Sequence, residues 1–344
     1  MRCRTIGWLR RGTRAIWLVM CLVATAAMGP VKVSAADGEP AVTRLADVDE
    51  DFHFMGEYAG TLSGRVPGFA GDVVPFGLQV IPLGDQRFSA VLLPGGLPGN
   101  GSEGRQRLLL EGQRTGPTLT LANDQLRLVV EAGKTRVVES KEGWRGDLQH
   151  VQRTSRRAGA PAPPDAYILY DGSGPGAFKD ARIVDGLLQS GTELLPLHRD
   201  YLLHVEFLVP YMPRSDSQAR GNSGVYLQSR YEVQILDTFG REGLANECGG
   251  LYKQRAPRLN MAFPPLSWQT YDITFRSPSF DSQGNKVRNA RITLLHNGIK
   301  VHDHVEITAK TGAGQPEAPH LLPTKLQDHG NPVQFRNVWL LDLR

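Results

Sequence analysis

The sequence predicts an all-β protein: a small barrel-like domain followed by a two-sheet sandwich, a jelly roll. Three observations predict it. Apolar and polar residues alternate in short runs cut by glycine and proline. No run of a dozen residues repeats its apolar positions at helical spacing. Turn dipeptides separate the runs, the strongest being Asn297-Gly298.

Residues 1–36 come first and distort the bulk composition. Arg2, Arg4, Arg10, Arg11 and Arg14 precede an apolar run from Ala15 to Met28, and the small residues Ser34, Ala35 and Ala36 follow. This is the three-part pattern of a secretory signal, and about 14 apolar residues are short for a membrane span. Export to the periplasm or the extracellular space is expected, with cleavage near Ala35 or Ala36 and no membrane span in the mature form. Arg10-Arg11 leaves twin-arginine export open, while Cys21, inside the apolar run after Met20, argues against a lipoprotein site. The whole chain has 39 basic and 35 acidic residues, +4. Without five of those arginines and Lys32 the balance is 33 to 35, or −2. The high isoelectric point therefore belongs to targeting and gives no support for nucleic-acid binding. Cys3 and Cys21 leave with the signal, so Cys248 stands alone without an internal disulfide and reads as a small packed residue.

Residues 51–152 read as a small β-domain. GLQVIPLGDQRFSAVLL is a hairpin turning near Gly84-Asp85-Gln86, and LPGGLPGNGSEG, residues 93–104, is a long aperiodic loop. Three further strands turn near Asn123-Asp124 and Ala132-Gly133, which suits a partly closed barrel. Residues 153–165 are rich in proline and alanine, a linker by composition. Residues 166–344 then supply the strands of the sandwich: DYLLHVEFLVP, SGVYLQ, YEVQILD, SWQTYDITFRS, ARITLLHNGIKVHDHVEI and PVQFRNVWLLDLR.

One hairpin, GNSGVYLQSRYEVQILD from Gly221, has an uncommon polar face. A two-residue turn at Ser229-Arg230 would mix polar and apolar side chains on both faces. A three-residue connection, Ser229-Arg230-Tyr231, instead pairs Gln228 with Glu232 and Tyr226 with Gln234, leaving Val225, Leu227, Val233 and Ile235 for the core. Outer faces of antiparallel sheets are usually solvated, but phenol, amides and a carboxylate also suit sugar hydroxyls.

At this hairpin the sequence resembles the 3-keto-disaccharide hydrolase domain family. The resemblance rests on YDGSGPGAFK from Tyr170 and RGNSGVYLQSRYEVQILDTFG from Arg220. ECGGLYKQRAPRLNMAFPPLSWQTYDI, LLHNGIKVHD and LQDHGNPVQFRNVWL follow in order. It implies a concanavalin-like jelly roll that binds a glycoside or oligosaccharide on its concave sheet. It also implies cleavage of glycosides oxidised at C3. A C3 ketone acidifies the C2 proton, so a base can form an enolate that expels the C1 oxygen, and water adds afterwards. The route needs a base near C2, an acid near the leaving oxygen, and donors or a metal at the enolate.

Glu232 and His329 are the catalytic candidates on this reading. Arg220, Asn222, Tyr226, Gln228, Gln234 and Gln327 are the substrate-binding candidates, with Gln327 and His329 on one face of an extended segment and Asp328 turned away. Strict alternation puts Asp237 on the opposite face, a structural position. Related jelly-roll glycosidases place acids at alternate positions of one strand, but the slot after Glu232 holds Gln234. That departure disfavours the two-carboxylate mechanism and fits either elimination or a non-catalytic carbohydrate-binding module or envelope protein. No cofactor is specified, and a divalent cation such as calcium is left open. His302, His304 and Glu306 alternate on one strand but point in parallel, which suits an exposed strand better than a metal site. Trp268 reads as core and Tyr271 as a residue that could stack on a sugar.

Overall fold

Eight antiparallel strands, from Gly56–Ser63 to Arg145–Val151, form the first half of the computed structural model, which describes residues 39–343. The signal-like segment 1–36 lies outside the described residues. Each strand pairs with the next, and the first pairs with the last from Glu57↔Val151 to Ser63↔Arg145. The barrel is therefore fully closed rather than partly, which removes its edges. Alternation along Thr118–Ala122 and Leu126–Glu131 sends Leu119, Leu121, Leu126, Leu128 and Val130 inward. There they meet Tyr58, Phe76, Phe88 and Trp144. Eight strands enclose a space that side chains can fill, so this barrel is a packed body and not a ligand lumen.

The sandwich has two sheets. The larger runs Ile183–Val184, Leu187–Gln189, Gln334–Asp342, Tyr201–Leu208, Gln269–Arg276, Ala290–His296, Ile299–Ile307, with Tyr167–Tyr170 also paired to Gln334–Asp342. The smaller runs Phe178–Lys179, Thr192–Leu194, Lys325–Leu326, Ser223–Leu227, Tyr231–Ile235. Between them Tyr201, Leu203, Val205, Phe207, Tyr271, Ile273 and Phe275 pack on Val225, Leu227, Tyr231, Val233 and Ile235. Asn297 and Gly298, at φ 52° and 80°, make the sharp turn expected of that dipeptide.

The key hairpin differs from the expected register by two residues. Tyr226 faces Glu232, Gly224 faces Gln234, and the connection is Gln228, Ser229 and Arg230. Gln228 and Ser229 adopt φ 48° and 54°, which tightens the turn and returns Tyr231 to the strand, where its ring packs 5.7 Å from Phe275 in the core. Because the side-chain period is two, a shift of two leaves every side chain on its expected face.

Residues 153–160 of the Pro/Ala-rich segment are docked on both halves. Arg153 donates two 2.6 Å bonds to buried Glu57 of the barrel. Ser155 then bonds Thr270, Arg157 pairs with Asp272 at 3.2 Å, and Gly159 N–H donates to Glu206. Trp339 Nε1 and Asn337 Nδ2 donate to Ala160 O. The strap thus covers the outer face of the larger sheet, where His204 stacks on Trp339 and bonds Asp272. Composition does not show this docking, because polar side chains spaced two apart find partners on strands distant in sequence. Tyr271 is wholly buried, so it is unavailable to a sugar, while Trp268 is half-buried beneath the Arg336 guanidinium, 4.0 Å away, rather than core.

Candidate active site

The outer face of the smaller sheet carries one buried carboxylate, Glu232, which is 2% exposed. Strand alternation turns it away from Val233 and the core, and a loop closes over it. Glu232 N–H donates to Thr311 Oγ1, Thr311 N–H donates to Arg230 O, and Gln315 N–H donates to Ser229 O, so the segment TGAGQ, Thr311 to Gln315, is tied across the hairpin. Gly312 is required there. A Cβ on it would lie 2.9 Å from the Tyr252 ring and 3.0 Å from Glu232 Oε2.

Tyr226 O–H donates to Glu232 Oε2 at 2.7 Å. The hydrogen-bond network turns the Gln234 amide so that its nitrogen donates to Glu232 Oε1 at 3.1 Å and to Ser223 O at 2.8 Å. Neither Arg220 nor Arg230 reaches it: Arg220 pairs with Asp237 at 2.6 Å, and Arg230 donates to Pro316 O and His320 O. Burial without a cation pushes the Glu232 carboxyl up to about 7, with the Tyr226 hydrogen bond opposing part of the rise. Burial and the neighbouring carboxylate raise Tyr226 in turn and keep its phenol protonated.

Gly224 leaves a notch in the backbone that the Glu232 carboxylate and the Gln327 amide fill. A Cβ there would stand 2.7 Å from Glu232 Oε1 and 3.1 Å from Gln327 Oε1. Gln327 Oε1 is buried with no hydrogen-bond partner among the described residues. Two acceptor oxygens thus flank one bare stretch of backbone. A groove of about 400 Å³ adjoins it, with Tyr226, Ser229, Gln315, Lys325, Gln327 and Asp328 in its wall. Lys179 and Lys325, also in the wall, stand 3.6 and 3.4 Å from Glu193.

The sequence-based candidates separate. Glu232, Tyr226, Gln234 and Gln327 come together. Gln228 sits in the turn, its amide donating to His198 O, Arg199 O and Ser277 Oγ, a fixing role rather than a sugar contact. Asn222 is buried, its amide N–H₂ donating to Gln218 O and its backbone N–H to Asn331 Oδ1. Arg220 is held by Asp237, which has the structural position expected of it. His329 is exposed and absent from the groove wall, whereas Asp328 is in it. The alternation assumed for that segment fails because the strand ends at Leu326 and Asp328 turns back to accept from Gly330 N–H. His302 bonds Gly249 O in the interior, and His304 and Glu306 pair with Asp303 and Arg291 at the surface. Among the described residues no three His, Cys, Asp or Glu side chains gather at metal-ligand spacing. The covering loop and the Gly224 notch escaped sequence reasoning. The one signal was the pair of glycines in TGAGQ, which marks a close approach without saying to what.

Residues 138–341 match the 3-keto-alpha-glucoside-1,2-lyase-like domain. The chain belongs to that family. The lyase-like domain is also similar to solved structures of two candidate glycosyl hydrolases from Parabacteroides distasonis. One is 31% identical, with a TM-score of 0.49, covering 53% of this chain and 85% of that one. The other is 17% identical, with a TM-score of 0.35, covering 52% and 89%. No curated protein matches the chain.

Proposed function

We propose that the chain cleaves the glycosidic bond of 3-keto-glycosides by elimination, with Glu232 as the base. The observation that carries this is a carboxylate buried without a cation, poised at about 7, beside a backbone notch. Such a base is half ionised near neutral pH, where general-base catalysis is most effective. In the proposed reaction Glu232 removes the proton from C2, and the C2–H electrons form an enolate across C2 and C3. The C3 carbonyl then re-forms, a double bond appears between C1 and C2, and the C1–O bond breaks. The leaving oxygen takes up a proton, for which Tyr226 O–H and the ammonium groups of Lys179 and Lys325 are the groove donors. Water adding across C1 and C2 restores the C2–H and gives the free 3-keto sugar. Gln327, in the groove wall, would accept through Oε1 from a sugar hydroxyl, relieving its missing bond. The family's name supports the substrate class, and export stays a proposal resting on residues 1–36.

The test is product release from a 3-keto-disaccharide and its unoxidised parent, by wild type and Glu232→Gln, with and without chelator. Cleavage of the keto substrate alone, lowered about 10²- to 10⁴-fold in the variant, is expected for loss of a general base. If metal-replete wild type cleaves neither sugar yet binds them through the same face, the protein is a binding module and the proposal is wrong.

A further inference from the structure

The groove beside Tyr226 is smaller than a second cleft. A cleft of about 740 Å³ lies between the barrel and the sandwich, with five arginines and three acids in its wall. Arg87 comes from a barrel strand and Arg107 from the residue before the strand Leu108–Thr115; Arg214, Arg220 and Arg241 come from the sandwich half. The acids are mostly committed. Asp216 pairs with Arg241, Glu247 Oε2 accepts from Gly243 and Leu244 N–H, and exposed Glu242 has no ion pair among the described residues, though Glu242 and Glu247 both lie within charge reach of Arg107. Three arginines are paired as well, Arg214 with Asp85, Arg241 with Asp216 and Arg220 with Asp237, but guanidinium donors are left over. Arg220 is 3% exposed and binds Asp237 through Nε, but its Nη2 is buried with no partner. Arg107 makes one bond, from Nη2 to Gly240 O, and Arg87 has no ion pair among the described residues. Ile81, Leu83 and Phe239 supply an apolar wall. An unpaired buried guanidinium donor costs stability unless something accepts from it.

We propose that this cleft is a second binding site, for a carbohydrate that carries an oxyanion. Arg220 Nη2, Arg107 and Arg87 hold the carboxylate or phosphate, as guanidinium groups do, and the apolar wall meets the C–H face of the ring. The site needs both halves of the molecule, which gives the barrel a role in ligand binding. It does not depend on the chemistry assigned to Glu232.

The experiment is calorimetric titration of the full chain with methyl glucuronide, glucose 6-phosphate, methyl glucoside and inorganic phosphate. The two anionic sugars are expected to bind at least about tenfold more tightly than methyl glucoside, and more weakly as salt rises. Whichever anionic sugar binds the tighter names the oxyanion. The double variant Arg87→Gln, Arg107→Gln should lose about tenfold or more in affinity, whereas Arg127→Gln on an exposed barrel position should lose nothing. Circular dichroism checks that both variants are folded. Anionic sugars binding no better than methyl glucoside, or equally well to the double variant, would overturn the site. Phosphate binding as tightly as glucose 6-phosphate would overturn its assignment to a sugar.

Discussion

Two glutamates are buried on opposite outer faces of the sandwich, and their acidities move in opposite directions. Glu206, on the larger sheet under the strap, is wholly buried; Glu232, on the smaller sheet under the TGAGQ loop, is 2% exposed. Burial raises both. At Glu206 that rise is outweighed by His204, Asn337, Arg336 and Gly159 N–H, which bring the carboxyl from 4.5 down to about 2. Arg336 Nε and Asn337 Nδ2 donate at 2.8 Å, and His204 Nε2 stands 3.6 Å away as a charge contact. Glu232 has only a phenol and an amide, so burial wins and the carboxyl rises to about 7. Depth alone therefore says nothing about function. The supply of positive charge separates a structural anchor from a poised base.

Removing each charge should sharpen the contrast. Glu206→Gln breaks a buried ion network, leaving Arg336 without its carboxylate and His204 with Asp272 alone, so a loss of about 3–5 kcal/mol in urea unfolding at pH 7 is expected. Proteolysis at Arg156 and Arg157 should quicken as the strap loosens. A loss below about 1 kcal/mol would mean that the network is not what holds the strap. Glu232→Gln should do the reverse. The wild-type carboxyl is raised in the fold, so its contribution is fully present below about 4.5 and is lost as pH rises through about 7. That is a change of about 3 kcal/mol for a shift of this size, and the amide escapes it. The variant should thus gain on wild type between pH 4.5 and 7 and hold the gain above. For Glu206 the sign is opposite: its stabilisation is present above 4.5 and lost as pH falls through about 2. Parallel pH–stability curves for wild type and Glu232→Gln would show that Glu232 is not raised.

The two faces were not equally legible in the sequence. Period-two alternation put Tyr226, Glu232 and Gln234 on one face, and that survived a register error of two because the parity was right. Barrel closure was not legible, since it depends on pairing Gly56–Ser63 with Arg145–Val151 across most of that half of the chain. The Glu206 face was hidden for a related reason. Residues 153–160 have no periodicity of their own, and their partners Thr270, Asp272 and Trp339 lie more than a hundred residues away. His329 was misplaced because alternation was extended past Leu326, where the strand had ended.

The smallest effect is the most discriminating. Tyr226→Phe keeps the ring and removes the one hydroxyl that donates to Glu232, at 2.7 Å. That hydrogen bond opposes the effect of burial, so losing it should raise the carboxyl further. A hydrogen bond to a charged group contributes about 1.5 kcal/mol, equivalent to roughly one pH unit. On the proposed mechanism Glu232 sets the acid limb of the pH–rate profile near 7, so that limb should move up by about one unit. Cleavage at pH 6 should fall about tenfold while the plateau at high pH changes little. An unmoved acid limb would mean that the titrating group is not Glu232, and the base assignment would fail. A plateau lowered about a hundredfold would mean that Tyr226 itself passes a proton or holds the enolate, since tuning a neighbour cannot depress a rate measured where that neighbour is already ionised.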